Sequence, residues 1–479
     1  MSLPGISTLE AAVDGRVVPQ GSPGLEDVRK PAWAQFEEIV PEVVVRCRTA
    51  ADVAETVTFA RRVGAELAVR SGGHCFAGRS STRGILIDLS ELRSVSVSDG
   101  LATVEAGALL GDVYKRLDAD GLTIAAGACP SVGIAGLTLG GGLGILGRTY
   151  GLTSDQLLGV QVVLADGRIV DCDEQHEPDL FWALRGAGGG QFGIVTSLLF
   201  RTVPAEDLTC FSLAWPYAQA AAAIALWQDW APDAPDELAA SLLVNAAGEP
   251  DEPVVTIFGA MLGTKADTTE ILRHVVERLE VDPVSTTIEQ MPHRAAKLFL
   301  AEHAPGVERS DDTTPVAPPR PSLMFARSEF FRRSLPPDAI ASLVDSFAAG
   351  GRGPRHACEL DFTPWGGAYN RTPTPASAFA HRNERFLLKH AVVLGADTTA
   401  HEREAARDWL ARSWSIVHPY GSGGVYPSFP DPDLTNWERA YHDVNYERLT
   451  EVKARYDRDD LFRFHQSLPP DHPKGRSHT

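Results

Sequence analysis

Three clusters of glycine between residues 71 and 190 place the strongest constraint on how this chain can fold. The clusters are Ser71-Gly72-Gly73, residues 133–144 and residues 186–190. Glycine adopts positive φ at no steric cost and lets a ligand approach the backbone closely. Successive backbone N–H groups in such turns form a concave anion site. The clusters therefore predict either a pyrophosphate cradle assembled from several loops or tight turns in a compact sheet, and the glycines alone leave both open.

Two segments match the dinucleotide-binding pattern G-x-G-x-x-G. They lie at Gly142, Gly144 and Gly147 and at Gly188, Gly190 and Gly193. A Rossmann site needs a strand directly before the loop and a hydrophobic helix after it. Here Arg-Thr-Tyr-Gly follows the first segment, and the strand-like Ile-Val-Thr-Ser-Leu follows the second. We therefore do not expect a Rossmann site at either place.

Charge and composition narrow the classes of partner. The chain has 63 acidic and 44 basic residues and a formal net charge of −19, whereas nucleic-acid-binding proteins present a basic face. We expect neither nucleic acid nor an anionic membrane as a partner. No apolar run reaches the roughly 18 residues of a membrane span, and the N-terminus lacks the pattern of a secretory signal, so we expect a cytoplasmic protein. Six scattered cysteines without a C-x-x-C pair predict neither a disulfide framework nor a metal site.

A chain of 479 residues is expected to form more than one domain. Residues 1–37, rich in glycine, proline and charge, predict a loose lead-in. Residues 38–206 mix short strands and helices, including a helix capped by Thr49 and a hairpin turning at Asp166-Gly167, and predict an α+β domain. Residues 207–404 predict a second α+β domain, with an antiparallel sheet flanked by helices and a proline-rich loop at 315–321. Residues 405–479 form a C-terminal segment.

An ordered set of motifs carries a family resemblance. The set comprises Arg70-Ser71-Gly72-Gly73-His74, Glu105-Ala106-Gly107, Gly127-Ala128-Cys129-Pro130, Gly140-Gly141-Gly142-Leu143-Gly144, Gln191-Phe192-Gly193 and Asn445-Tyr446-Glu447-Arg448. In this order the motifs resemble the FAD domain of the vanillyl-alcohol oxidase type, and within it the berberine-bridge-enzyme-like oxidoreductases. The resemblance implies a two-lobed PCMH-type FAD-binding domain at 38–206, a substrate domain at 207–404, and a C-terminal segment at 405–479 that returns to the FAD domain.

The resemblance implies that FAD is bound covalently at two places. In the family a histidine after the Gly-Gly pair bonds the flavin 8α-methyl carbon, and His74 stands there. Some members add a cysteine that bonds flavin C6, and Cys129 matches it. Without the resemblance, His74 would be an ordinary loop residue and Cys129 a buried thiol. The other residues expected to bind the cofactor are Arg70, Ser71, Gly72, Gly73, Val132, Gly133, Gly136, Gly140, Gly141, Gly142, Gly144, Gly193, Ile194, Val195 and Asn445.

A tyrosine is expected to act as the general base. The family places it in a Tyr-x-Asn-Phe/Tyr segment, which here is Tyr426-Pro427-Ser428-Phe429, with Ser428 in place of asparagine. Because a free tyrosine has a pKa near 10, the base needs a nearby positive charge or a hydrogen bond to its anion. Tyr369 matches a second tyrosine that acts in some relatives. The sequence leaves open which of the two is the base, and also whether Tyr426 is only a packed aromatic.

Three functions remain open at this point. The first is an oxidase that removes hydride from an alcohol carbon of a sugar or a glycosylated natural product and passes the electrons to O2, giving H2O2. The second is an oxidative cyclase or desaturase of a secondary metabolite on the same flavin. The third is a flavin- or small-molecule-binding protein without turnover. In plant relatives a small branched residue at the position of Val132 accompanies access of O2 to the flavin, which favours an oxidase. The sequence does not decide between a monomer and a homodimer.

Overall fold

The first half of the computed structural model builds three sheets. The structure describes residues 3–246, 253–303, 322–350 and 356–470, so the predicted loop at 315–321 lies outside the described residues. The strands are β1 Arg16–Pro19, β2 Val43–Arg46, β3 Leu67–Arg70, β4 Ile85–Asp88, β5 Val95–Ser98, β6 Leu101–Glu105, β7 Leu122–Thr123, β8 Leu157–Val163, β9 Ile169–Cys172, β10 Ile194–Arg201 and β11 Val203–Pro204. The helices are α1 Ile6–Ala12, α2 Leu25–Arg29, α3 Ala50–Val63, α4 Leu110–Asp118, α5 Ile134–Leu139, α6 Gly147–Tyr150 and α7 Pro178–Leu184.

Two of these sheets form the frame of the N-terminal domain. A mixed sheet has the strand order β1-β2-β4-β3, an antiparallel sheet has the order β5-β6-β10-β8-β9, and β7 and β11 form a small ribbon. The local predictions at Thr49 and Asp166-Gly167 are confirmed. Thr49 caps α3 in a reciprocal arrangement with Asp52, and β8 pairs antiparallel with β9 across the turn.

The predicted loose lead-in is wrong for much of residues 1–37. Strand β1 pairs antiparallel with β2 at the edge of the mixed sheet, and Leu9 and Val18 are 2% and 1% exposed. A Cβ at Gly15 would lie 2.0 Å from the carbonyl oxygen of Arg46. Glycine at this position therefore reflects close approach to the neighbouring strand and not flexibility of the segment.

The middle of the chain forms an antiparallel sheet, as predicted, and the sheet has seven strands. Its order is β15-β12-β14-β13-β17-β18-β16. Its strands are β12 Leu208–Pro216, β13 Leu238–Ala246, β14 Val254–Met261, β15 Ser285–Met291, β16 Ser322–Phe331, β17 His356–Pro364 and β18 Phe386–Gly395. The helices of this part are α8 Ala220–Trp230, α9 Lys265–Leu279, α10 His293–Ala301, α11 Pro337–Ala349, α12 Ala368–Arg371 and α13 Ala400–Val417.

Side chains of this sheet alternate between two faces because successive residues of a strand point to opposite sides. On β17, Leu360 and Phe362 enter the core beneath the helices, whereas Asp361 and Thr363 face a cleft. On β18, Leu388 enters that same core. The sheet therefore has one face buried against helices and one face free to contact a ligand.

The predicted domain boundary at 404 falls inside α13. Residues Ala406, Trp409 and Leu410 of this helix belong to the core under the seven-stranded sheet. The chain turns back to the N-terminal domain further on, through α14 Trp437–His442 and α15 Tyr446–Tyr456. Leu449 and Val452 of α15 join the core of the N-terminal domain.

A buried lysine, Lys453, anchors the C-terminal segment to the N-terminal domain. Lys453 Nζ donates to the carbonyl oxygens of Gln191 and Phe462 and to the Asp457 carboxylate, at 2.9, 2.6 and 2.6 Å. The Lys453 and Asp457 side chains are both 0% exposed.

The α+β prediction is confirmed. No helix in the described parts of the chain has the length and apolar character needed to cross a bilayer.

Candidate functional site

One large cleft lies between the N-terminal sheets and the free face of the seven-stranded sheet. Its volume is about 1510 Å³. Sites for a single small molecule usually measure about 300–1,000 Å³, so this cleft has room for a dinucleotide and a substrate together. The wall comes from the loop after β3, the glycine clusters, the 426–432 loop and the sheet face.

Most of the residues predicted to bind the cofactor lie on this wall. Those that line the cleft are Ser71, Gly72, Gly73, His74, Cys129, Val132, Gly133, Gly136, Gly140, Gly144, Gly193, Ile194 and Val195. Four others lie behind it, namely Arg70, Gly141, Gly142 and Asn445. Arg70 donates to the carbonyl oxygens of Arg29 and Ser80 at 2.7 and 3.0 Å, and Asn445 donates to Ser377 and Ala378. These two side chains hold loops together.

His74 stands at the end of the turn that follows β3. Its surroundings withdraw the ring from water, which lowers its pKa to about 4, while the backbone carbonyl of Ser131 acts in the opposite direction. The ring is therefore neutral near pH 7. A neutral imidazole that gives its N–H to a carbonyl keeps a lone pair on its other nitrogen, and this is the form that can attack an electrophilic carbon. Trp33 and the His74 ring pack in an edge-to-face arrangement, with centroids 6.1 Å apart.

Cys129 lies on the loop that contacts His74 through Ser131. Its Sγ is 3.4 Å from the Ser131 hydroxyl, so Ser131 contacts His74 through its carbonyl and Cys129 through its side chain. The two loops touch because both are glycine-rich: a Cβ at Gly72 would lie 2.3 Å from the backbone nitrogen of Gly133. The fold therefore brings the two predicted attachment residues to one part of the cleft wall.

The wall also has the shape expected for a close ligand. Gly136 lines the cleft, and a Cβ added there would meet no atom within 4 Å, so it would project into open space. Together with the neutral His74, this arrangement fits a flat ring system held against the glycine segment.

Tyr426 reaches the glycine turn from the C-terminal part of the chain. Its phenol oxygen accepts hydrogen bonds from the backbone N–H groups of Gly142 and Leu143, at 3.0 and 2.9 Å. Gly142 has φ +88°, a conformation that favours glycine. Burial raises the pKa of Tyr426, while the Ser428 hydroxyl and the two backbone groups act in the opposite direction.

Tyr369 is bonded differently. Its hydroxyl donates to the carbonyl oxygen of Gly144 at 2.7 Å, and its ring stacks on Trp365 with centroids 4.4 Å apart. The same oxygen accepts a hydrogen bond from the Gly144 backbone N–H at 3.3 Å. Burial raises the pKa of Tyr369, the Gly144 N–H opposes the increase, and the neighbouring Tyr426 adds to it. Both tyrosines line the cleft, but only Tyr426 presents its oxygen to two N–H donors.

A charged cluster on the sheet face was not predicted from the sequence. Lys389 Nζ lies 3.0 Å from carboxylate oxygens of both Glu359 and Asp361, and Lys389 and Asp361 line the cleft. Although burial opposes it, the two carboxylates raise the pKa of Lys389, so it stays protonated. The available signal was a lysine inside the apolar run Phe-Leu-Leu-Lys-His-Ala-Val-Val.

Two family models match the chain at the regions that build the site. Residues 41–173 match the FAD binding domain family, and residues 425–469 match the family described as berberine and berberine like. The first match covers the loops of His74 and Cys129, and the second begins just before Tyr426.

Complete proteins match over nearly the whole chain. The FAD-linked oxidoreductase YvdP of Bacillus subtilis (strain 168) is 32% identical over 95% of this chain and 98% of its own. A chitooligosaccharide oxidase of Gibberella zeae is 30% identical over 90% and 87%. The solved structure of Physcomitrella patens BBE-like 1 superimposes with a TM-score of 0.87 at 25% identity, covering 98% and 99% of the two chains. The chain therefore has the PCMH-type FAD-binding fold and belongs to the berberine-bridge-enzyme-like family of FAD-linked oxidoreductases.

Proposed function

We propose that this enzyme is an oxidase that takes hydride from an alcohol carbon of a sugar or a glycosylated natural product. FAD would be attached through His74 and Cys129, and O2 would reoxidise it with formation of H2O2. The observation that carries the proposal is the Tyr426 oxygen, which accepts two backbone N–H bonds on the wall of the same cleft that the predicted attachment residues line.

The hydrogen bonds of the two tyrosines support Tyr426 as the base. A phenolate is stabilised by N–H donors and repelled by a carbonyl oxygen. Tyr426 has two such donors. Tyr369 has one, the Gly144 N–H at 3.3 Å, but it gives its proton to the Gly144 carbonyl at 2.7 Å and would face that carbonyl as an anion. Loss of a proton therefore strengthens the hydrogen bonds of Tyr426 and breaks the shorter hydrogen bond of Tyr369. Tyr369 instead packs against Trp365 and donates a hydrogen bond to the glycine turn.

Bound FAD supplies the two-electron acceptor, and the chain supplies position and proton transfer. Tyr426 would take the substrate hydroxyl proton as the C–H bond breaks. The Gly142 and Leu143 N–H groups would hold the phenol oxygen in place and stabilise its negative charge. Because these groups already point at the phenol oxygen, they would need no rearrangement during the reaction.

The sheet face supports a polyhydroxylated substrate. Asp361, Lys389 and Ser241 line the cleft, and they offer acceptors and donors suited to several hydroxyl groups. Phe76 and Phe429 stack with centroids 5.6 Å apart beside them, and both rings also line the cleft. The chitooligosaccharide oxidase relative acts on a carbohydrate by its name, which favours a sugar over a purely apolar metabolite.

Two measurements test this proposal. The enzyme is incubated in air with a panel of mono- and oligosaccharides and aryl glycosides, and H2O2 is measured; we expect H2O2 and an oxidised alcohol carbon in the product. A new ring or carbon–carbon double bond in the product would instead support the cyclase or desaturase alternative. Acid precipitation is expected to leave the yellow colour in the pellet, and a colourless pellet would refute covalent attachment.

A further inference from the structure

Residues 125–127, which lead to Cys129, are held in place by hydrogen bonds from side chains. Consecutive carbonyl oxygens of this segment each accept a bond from a different side chain. The Thr153 hydroxyl donates to Ala125 at 2.8 Å, Lys297 Nζ donates to Ala126 at 2.9 Å, and the Tyr114 hydroxyl donates to Gly127 at 2.6 Å. Gln156 adds two bonds at Ala125, accepting from its N–H at 3.1 Å and donating to its carbonyl at 3.3 Å. Four side chains therefore set the path of the backbone that ends at Cys129.

Lys297 is the unusual member of this set. It belongs to α10 of the middle domain, yet it bonds to a carbonyl of the N-terminal domain, and it is only 2% exposed. Its ammonium group lies 4.8 Å from the centre of the Tyr114 ring. Among the residues that the structure describes, no carboxylate forms an ion pair with it.

Burying an unpaired ammonium group is costly. Burial lowers the pKa of Lys297 to about 7, and the nearby Cys210 thiol opposes the shift only in part. His293, one turn earlier on α10, is neutral because burial lowers its pKa to about 3. The groups that face Lys297 therefore do not compensate its charge, and a methionine would fill the same space without that cost. What lysine provides here, and methionine would not, is the hydrogen bond to the Ala126 carbonyl oxygen.

We propose that Lys297 is a positioning residue for the second flavin attachment, holding the backbone before Cys129 so that the sulfur reaches the flavin ring. This inference rests on the proposed bond between Cys129 and flavin C6. When that bond forms, the S–H and ring C–H bonds break and an S–C bond is made. Two protons leave, and two electrons pass through the flavin to O2, giving H2O2. Lys297 takes no part in this chemistry, because it does not line the cleft.

The test is the state of Cys129 in purified enzyme with its bound flavin. Lys297→Met is compared with the wild type and with Lys265→Met, a control on the exposed surface of α9. Each protein is denatured and digested, and mass spectrometry gives the ratio of free to flavin-linked Cys129 peptide and the flavin content of the His74 peptide. For Lys297→Met we expect the Cys129 ratio to rise at least tenfold while the His74 bond stays complete.

The pattern of bonds separates positioning from general destabilisation, because a merely misfolded variant would lose both attachments. Lys297→Gln, which keeps a shorter donor, gives a second result if the methionine variant does not accumulate, and we expect a smaller rise in the same ratio. A wild-type protein without flavin on Cys129 would refute the proposed double attachment together with this inference. A wild-type protein with both bonds, and unchanged ratios in the Lys297 variants, would refute only the role of Lys297.

Discussion

Tyr426→Phe is the substitution that tests the proposed chemistry most directly. It removes one oxygen from the cleft and keeps the ring that packs against Phe330 and Phe379. Loss of a general base lowers a rate by about 10²–10⁴-fold, which corresponds to about 2.7–5.4 kcal/mol at 1.36 kcal/mol per tenfold. The variant also leaves the N–H groups of Gly142 and Leu143 without their acceptor, at a cost of about 1–3 kcal/mol each when water cannot replace it.

The assay should separate these two effects. Anaerobic stopped-flow measurement of flavin reduction by the sugar gives the chemical step, and thermal unfolding gives the stability. We expect the reduction rate of Tyr426→Phe to fall at least 100-fold at a temperature well below its Tm. Tyr369→Phe is the matched control, since it removes one hydroxyl from the same aromatic cluster, and it should retain its reduction rate within about tenfold. A Tyr426→Phe enzyme that reduces its flavin at nearly the wild-type rate, or a Tyr369→Phe enzyme that loses as much, would refute the assignment of the base.

Three further predictions follow from burial and pKa. Because burial raises the pKa of Tyr426 and the base must be deprotonated, kcat/KM should still be rising at about pH 10, the ordinary pKa of tyrosine; a plateau already at pH 7 would contradict this. Lys453→Met should lower the free energy of unfolding by about 3–5 kcal/mol in urea, since it leaves Asp457 buried and unpaired, whereas the exposed pair lost in Arg116→Met should cost under about 1 kcal/mol. The urea midpoint should fall as pH drops from about 6.5 towards 4. Four histidines away from the cleft wall have their pKa lowered by burial to about 3 or 4, namely His293, His381, His390 and His442. Below the unfolded pKa of histidine, only the unfolded chain takes up protons at these residues; a midpoint constant over this range would contradict the shifts.

Local signals predicted the fold best where a few neighbouring residues determine the structure. The cap at Thr49 needs only an acidic residue three positions on, and the hairpin at Asp166-Gly167 needs only a residue that tolerates positive φ. The predictions were wrong where contacts between residues distant in the chain determine the structure. The strand at 16–19 exists because β2 lies beside it, and α13 belongs to the middle domain because its apolar face meets the seven-stranded sheet.

The candidate site was predictable in its cofactor half and less so in its substrate half. His74 and Cys129 stand in motifs with several characteristic neighbours, and the fold places both on one wall. Lys389 and Asp361 lie on adjacent strands, 28 positions apart in the chain, and their pairing follows from the register of β17 with β18. A sequence does not state that register, so a charged cluster of this kind is visible only when the strands are placed side by side.

The bonding of Tyr426 separates chemistry from substrate choice. Its oxygen is held by the glycine segment of the FAD-binding domain, which runs on from the loops of Cys129 and Gly133. The proposed base is therefore tied to the same backbone that would carry the flavin, and in the described parts of the chain its backbone donors come from that segment and not from the seven-stranded sheet. Substitution of Asp361 should accordingly raise KM for a sugar while leaving the pH dependence of flavin reduction unchanged, because the group that titrates is held from the opposite wall. An Asp361→Asn enzyme with a displaced pH profile would show instead that the sheet face helps to set the charge of the base.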